Sequence, residues 1–354
     1  QCGAQLVFDI TKQQLACPAC GFATDIDTSD LDQPTEKDLA STIAAIKANT
    51  HLAPQLEGEK EIVCQNCGGH TTFTGTLTAV RCPYCATPIQ RDDVHDAPAR
   101  LPVDGVLPFS VDEKTGRDHL EEWINGRWFA PNEFKKYREV GSFTSLYAAY
   151  FTYDADTTTP YRGRRGDHYY VTVGSGDNRR TERRTRWRSA SGVVFNRFDD
   201  IAVLANTGFD DGKVRALEPW PTQTAKPFSP EFVAGHLCRT YDVGAEACFA
   251  EAKGRIDNEI DATIRRDIGG DEQRITSKQT RYDLLTFKHL LLPIWLLTVV
   301  YEGRPFQVFI NGVTGEVQGQ RPYSKVKIAL AVAAAIIVAI VVVVLFQSAG
   351  GSSG

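Results

Sequence analysis

An α+β protein with two small four-cysteine zinc ribbons at one end and one transmembrane helix at the other is the architecture this sequence predicts. Three observations carry it. Paired C-x-x-C motifs stand in the first hundred residues, segments of helical and strand period alternate through the middle, and Ile328 to Phe346 is 19 residues without a charge. The expected division is residues 1–30, a first ribbon cut at its N-terminal edge; 31–60, a linker helix; 61–95, a second ribbon; 96–325, an α+β domain with an antiparallel or mixed sheet; 326–346, the membrane span; and 347–354, a Gly/Ser tail.

The second ribbon is the clearer of the two. Cys64-x-x-Cys67 and Cys82-x-x-Cys85 flank 14 residues, enough for a β-hairpin that brings both turns to one point. Four thiolates converging there suit a tetrahedral zinc site. Cys2, Cys17 and Cys20 repeat Cys67, Cys82 and Cys85 at a constant offset of 65, and Phe8 falls on Phe73. Repetition of this fidelity points to two ribbons and two structural Zn²⁺ ions. The counterpart of Cys64 would lie two residues before Gln1, where a further Cys is expected; the absence of methionine agrees with a missing start.

Composition is that of a globular protein, 42 % hydrophobic and 23 % charged, with net charge −5. Seven of nine cysteines sit in metal-type spacings, which implies a reducing compartment. Cys238 and Cys248 read as buried thiols on apolar helical faces. Residues 1–100 hold seven Lys/Arg against thirteen Asp/Glu. Zinc sites made of four thiolates add further negative charge, so the ribbons repel phosphate backbones, and nucleic acid is disfavoured as a partner.

Along the chain, Thr35 is expected to cap a helix carrying Leu39, Ile43 and Ile46. Ser110-x-x-Glu113 reads as a capping box opening a helix to Asn125, and Pro131 as the start of a short one with Phe134 and Tyr137. From Phe143 the period becomes two. Tyr147–Asp156, His168–Val173, Arg179–Arg188, Val193–Phe195 and Ile201–Leu204 read as successive strands of a meander, with a turn at Tyr161-Arg-Gly. Ser229-Pro230-Glu231 signals a helix to Tyr241, and a stripe of Phe249, Ala252, Ile256, Ile260 and Ile264 a longer one from Ala245 to Asp267. Leu290–Tyr301 reads as a strand buried on both faces, followed by turns at Glu302-Gly-Arg and Asn311–Gly315.

A 19-residue apolar helix is about 28 Å long, enough to cross a hydrocarbon core. Arg321, Lys325 and Lys327 precede it, which places the N-terminal bulk in the cytoplasm of a single-pass membrane protein. Ala331, Ala335 and Ala339 form a small-residue stripe through which a homo-oligomer could pack.

The segment from Arg162 to Arg188 contains nine arginines with Tyr161, Tyr169, Tyr170 and Trp187 interleaved. Arg179, Arg180, Arg183, Arg184, Arg186 and Arg188 are its candidates for contact with anionic lipid or phosphate; the alternative is a solvated hairpin face. No phosphate loop, H-E-x-x-H or G-x-S-x-G occurs, so no catalytic residues are assigned and a non-enzyme is expected. His70, His119, His236 and His289 read as ordinary side chains.

The ribbon cysteines, Leu107-Pro-Phe109, Lys288-His-Leu-Leu-Leu-Pro-Ile-Trp295 and Asn311-Gly-Val-Thr-Gly315 running into Gly319-Gln-Arg-Pro-Tyr-Ser324 carry a resemblance over residues 1–346. The chain resembles bacterial TFIIB-type zinc-ribbon, C-terminally membrane-anchored proteins, sometimes labelled primosomal-helicase-like although no helicase motor is present. The resemblance implies a membrane-tethered cytoplasmic accessory protein, associated in some relatives with membrane-stress proteins of the phage-shock and band-7 type, and carries no catalytic residues over. The expected function is thus an adaptor or scaffold whose acidic ribbons project and dock protein partners. The alternative is a membrane-tethered nucleic-acid-binding protein.

Overall fold

The computed structural model describes residues 2–48, 59–63, 70–74, 94–96, 101–131, 142–176, 179–302 and 304–350. At the N-terminus, β1 (Val7–Asp9), β2 (Gln14–Ala16) and β3 (Ala23–Thr24) form a small antiparallel sheet. Asp9 makes its turn: one carboxylate oxygen accepts from the amides of Thr11 and Lys12 at 3.0 and 3.1 Å. A similar antiparallel trio, 59–63, 70–74 and 94–96, stands where the second ribbon is expected, with Val63 paired to His70. Cys64, Cys67, Cys82 and Cys85 lie outside the described residues, as does the short helix expected after Pro131.

Helix α1 (Leu39–Lys47) starts later than its sequence signal, capped by Asp38 through the Ser41 amide at 2.7 Å. Thr35 is displaced as cap because Lys37 and Asp38 pair as a strand with Phe287 and Thr286. Helix α2 (Glu113–Asn125) is capped by Asp112, not Ser110. The amides of Ser110 and Val111 both donate to Gly312 O at 2.8 Å, which holds that stretch extended.

The main sheet is built on β4 (Ser142–Val173) and β5 (Arg180–Leu204), a single antiparallel hairpin of 32 and 25 residues with one bulge between Phe198 and Ile201. Helix α3 (Ala245–Ile268) then crosses to β6 (Glu272–Lys278), β7 (Arg281–Tyr301), β8 (Arg304–Asn311) and β9 (Val317–Gly319). The order is β5-β4-β7-β8-β9, with β6 continuing beside the far half of β4. Leu237–Cys238 and Gly105–Val106 add parallel pairings to β4 and β7, so the sheet is mixed.

The expected meander is therefore one long hairpin, and the turn at Tyr161-Arg-Gly does not exist. Gly163 and Gly166 invite a turn reading, but here they allow close approach. A Cβ on Gly163 would lie 2.6 Å from Arg274 O and 2.8 Å from Ile268 Cδ1, so the bare backbone lets β6 and the end of α3 press onto β4. The helix expected from Ser229 to Tyr241 is also absent. A 3-10 turn at Pro230–Val233 ends before Gly235 (φ 85°), and Leu237–Cys238 joins the edge of β4, so Cys238 lies on a strand.

From Leu290 to Val299 strand β7 is buried on both faces, as the unbroken apolar run predicts, while its earlier part, 281–288, is mostly exposed or half-buried. Leu291, Trp295, Leu297 and Val299 enter one core with Phe109, Tyr147 and Phe151, while Leu290, Leu292, Ile294 and Leu296 enter another with Leu146 and Phe309. Helix α3 closes a third with Ile256, Ile260 and Ile264, all fully buried against Ala155, Tyr161 and Val194.

Strand β9 runs back along β8 toward Arg304, and α4 (Lys325–Gly350) follows. Ser324 ties its start to the domain: its amide donates to Phe129 O at 2.9 Å and its hydroxyl accepts from the Lys327 amide at 3.3 Å. From Lys325 to Val343 the helix has a mean hydropathy of 3.0 and none of it is buried, so it is long and apolar enough to cross a membrane.

Candidate metal centre and the sites around it

Cys2 precedes β1 and Cys17 follows β2, so the β1–β2 hairpin carries them to one end, where Cys20 joins them across a tight turn. The three sulfurs lie within 4.8 Å of one another, and Cys2 and Cys17 Sγ are 3.4 Å apart. Gly3 and Gly21, each directly after a cysteine, sit at φ of 78° and 73°, a turn conformation that residues with a Cβ rarely adopt. The backbone amides of Cys20 and Ala19 point at Cys17 Sγ and, with Cys2 alongside, hold its thiol down to about 7. The Phe22 amide favours the Cys20 thiolate, but the adjacent Cys2 and Cys17 sulfurs outweigh it and raise that thiol. No described cysteine is in a disulfide. Three convergent thiols with amides aimed at sulfur could hold one metal ion and would leave one tetrahedral position for another donor. That is one described cysteine cluster against the two expected ligand sets.

The module is docked and does not project. Phe8 is 4 % exposed, packs edge-on against Phe232 at 5.8 Å, and donates its amide to Ala234 O at 2.9 Å. Gln13 Nε2 reaches Phe109 O at 2.8 Å. Gly235 meets Val7 so closely that a Cβ there would come within 2.9 Å of the valine side chain.

Beneath this contact lies a cavity of ≈ 380 Å³ bordered by Phe8, Ser145, His236 and Glu113. His236 Nδ1 is 2.8 Å from Ser145 Oγ, a pairing that no local sequence signal announces, because the two residues meet from distant parts of the chain. The ring is stacked on Phe109 at 4.8 Å, and burial pushes its pKa down to about 4. A ring that stays neutral there is a poor base near neutral pH. His289 is likewise buried and held at about 4, and His119 bonds Gly315 O at 2.9 Å. All three have packing or backbone roles; His70 belongs to a strand whose side chains are outside the description. Cys248 is buried, which pushes its thiol up to about 12 and keeps it unreactive.

Two charged clusters stabilise the domain. Arg239 is fully buried, with its guanidinium 2.7 Å from Asp242 Oδ2 and 4.8 Å over the Phe209 ring. The same carboxylate oxygen accepts from the amide and hydroxyl of Thr207 at 2.8 and 3.1 Å. In the second cluster, Lys288 reaches Asp200 at 2.8 Å and Glu36 at 3.5 Å, and Asp154 accepts from the Asp200 amide at 2.7 Å. Burial, and then the shared proton with Glu36, raise the Asp154 carboxyl from 3.8 to about 7. A carboxyl raised on folding stabilises the fold fully below its unfolded value. That contribution is lost as pH climbs through the folded one. The stabilisation should therefore fade between about 4 and about 7. Thermal melts of Asp154→Asn should show a shallower decline over that window than the parent; an equal slope would place the shared proton elsewhere.

The six arginines predicted to touch phosphate are exposed on β5 and the residue before it, near the β4–β5 tip. Several are already engaged: Arg180 with Glu182 at 2.8 Å, Arg188 with Asp167, and Arg186 over Tyr169 at 5.1 Å. Trp187 is occupied by Arg164 and Arg274 at 5.7 and 4.3 Å. Ser142 pairs with Thr298, close to the Tyr301–Arg304 turn toward which β9 runs before the anchor. The tip is thus at the opposite end of a 32-residue strand, on the order of 100 Å away along a straight path at ~3.3 Å per residue.

No family model matches the chain, that of the TFIIB-type zinc ribbons included, and no solved structure matches it. Among curated proteins it is similar to "Uncharacterized protein YdjG" of Bacillus subtilis (strain 168), with 26 % identity over 237 residues, 66 % of this chain and 67 % of that protein.

Proposed function

We propose that the chain is a single-pass membrane adaptor: α4 crosses the bilayer, the sheet domain lies on the cytoplasmic side, and zinc-held N-terminal modules bind protein partners. The observation that carries this reading is the apolar helix, unburied from Lys325 to Val343 and tied directly to the domain by Ser324. Arg321, Lys325 and Lys327, all before the uncharged run that starts at Ile328, favour the cytoplasmic orientation. Cys2, Cys17 and Cys20 supply the donor set for one Zn²⁺, and the repeat at an offset of 65 assigns a second to Cys64, Cys67, Cys82 and Cys85. Zinc would supply folding energy that so small a module cannot draw from a core. Because β1 docks on the domain, the surface left to partners is the exposed part of the module, where Phe22 (57 % exposed) and Leu31 (40 % exposed) are near in sequence to Asp25, Asp27, Asp30 and Asp32. An acidic rim with apolar anchors suits a basic, partly apolar protein surface. The resemblance to zinc-ribbon membrane proteins makes membrane-stress proteins the class to test first.

A pull-down from solubilised membranes, with and without a chelator, tests this. Partners should be lost on chelation and survive nuclease and moderate salt; retention of every partner after chelation would remove the modules from the docking site. The exposed arginines of β5, with Tyr169 and Tyr170 of β4 paired opposite Arg184 and Arg183, support a second reading, nucleic-acid binding, whose affinity would instead fall steeply with salt.

A further inference from the structure

At the root of α4 lies a cavity of ≈ 870 Å³, within the ~300–1,000 Å³ usual for small-ligand sites. Arg304, Lys325 and Lys327 line it, against one acid, Glu302, with Tyr323 and Phe306 as apolar walls. Lys327 is held by Ala130 O at 2.8 Å. Among the described residues, Arg304 and Lys325 form no ion pair. This contrasts with the distal arginines, several of which are paired. Around the same root, Trp128 (57 % exposed), Phe129 (38 % exposed) and Tyr323 (58 % exposed) present aromatic rings to solvent. Phe129 O accepts from the Ser324 amide and Trp128 packs edge-on to Phe129 at 4.9 Å, so these residues lie beside the start of the anchor.

Depth decides what can occupy the cavity. The uncharged run begins at Ile328, one residue after Lys327, so with α4 in a bilayer the cavity lies at the level of the headgroups. Amphipathic aromatics and cations are the side chains that this layer favours. We infer that this cavity is a binding site for the phosphodiester headgroup of an anionic phospholipid, with Arg304 and Lys325 on the phosphate and Trp128, Phe129 and Tyr323 in the interfacial layer. The inference rests on the single-span reading. It also moves the expected lipid contact from the distal arginines to the anchor's root.

The test uses the full chain in two steps. Alkaline carbonate extraction of membranes comes first: release of the chain would overturn the span itself, and this site with it. Retained protein is then transferred to neutral detergent micelles doped with phosphatidylglycerol or with phosphatidylcholine of the same acyl chains. Lipid carried by the intact chain is measured by mass spectrometry. Phosphatidylglycerol should be retained in preference. In Arg304→Gln/Lys325→Gln its apparent affinity should fall about 30-fold, from ~1 kcal/mol per interfacial cation. Arg183→Gln/Arg186→Gln, at the distal tip, should retain it as the parent does. Equal retention of both lipids, an unaffected Arg304→Gln/Lys325→Gln variant, or loss in the distal variant would overturn the site while leaving the span intact. Displacement of the lipid by equimolar inorganic phosphate would show a free-anion site and overturn the lipid assignment.

Discussion

With a metal ion held by Cys2, Cys17 and Cys20 as proposed, its chelation should unfold the first module while the ten-stranded sheet stays folded. Apparent binding energies of structural zinc in small finger peptides are ~10–16 kcal/mol near neutral pH, larger than the whole stability of most domains. Against this the module has little of its own to fall back on. Its strands are two and three residues long, and Phe8 and Cys17 are its buried apolar side chains among residues 2–30. Hydrogen exchange of the Phe8–Leu15 and Val7–Ala16 pairs should accelerate by orders of magnitude with chelator, and equally in Cys17→Ser. The β7 amides should be unaffected. Docking sharpens the expectation, since release of Phe8 also exposes the Phe232 face it covers. Unchanged exchange in β1 and β2 after removal of metal would show that docking alone holds the module.

The second large effect belongs to Asp242. Asp242→Ala should destabilise the domain by ~3–5 kcal/mol, because it strands the fully buried Arg239 guanidinium without its carboxylate and leaves the Thr207 amide without an acceptor. Replacing both partners by apolar residues, Arg239→Met with Asp242→Leu, should cost less than Asp242→Ala alone, since no buried charge then lacks compensation. Denaturant melts of the two variants decide the matter: a double variant worse than the single would mean that the pair contributes more through geometry than through charge.

Several features were legible because one local pattern suffices to specify them. The stripe of Ile256, Ile260 and Ile264 marks α3, ending beside a Gly269 at φ 63°; the apolar run from Leu290 marks the doubly covered part of β7; the uncharged stretch from Ile328 marks α4. What escaped depends on partners distant in sequence. Glycines that admit β6 look like turn glycines until Arg274 and Ile268 are seen against Gly163. The helix caps at Asp38 and Asp112 replaced Thr35 and Ser110 because neighbouring backbone pairs first, with β7 in one case and with Gly312 in the other. Docking of the N-terminal cysteine module rests on contacts from Phe8 to Phe232 and Gln13 to Phe109, which spacing within the motif does not encode. The cavity at the anchor's root joins Arg304 on β8 to Lys325 on α4 across a turn of the sheet.

The length of β4 has a mechanical consequence. One covalent strand runs from the anchor end of the sheet to the arginine tip, cross-linked by hydrogen bonds to β5, β6 and β7 along its course. A pull between bilayer and tip would load many of those bonds together in shear, where a pull across one hairpin end would open them singly. The domain would thus behave as a stiff strut, and whatever grips its far end would be held at a distance from the membrane fixed by the number of residues in β4.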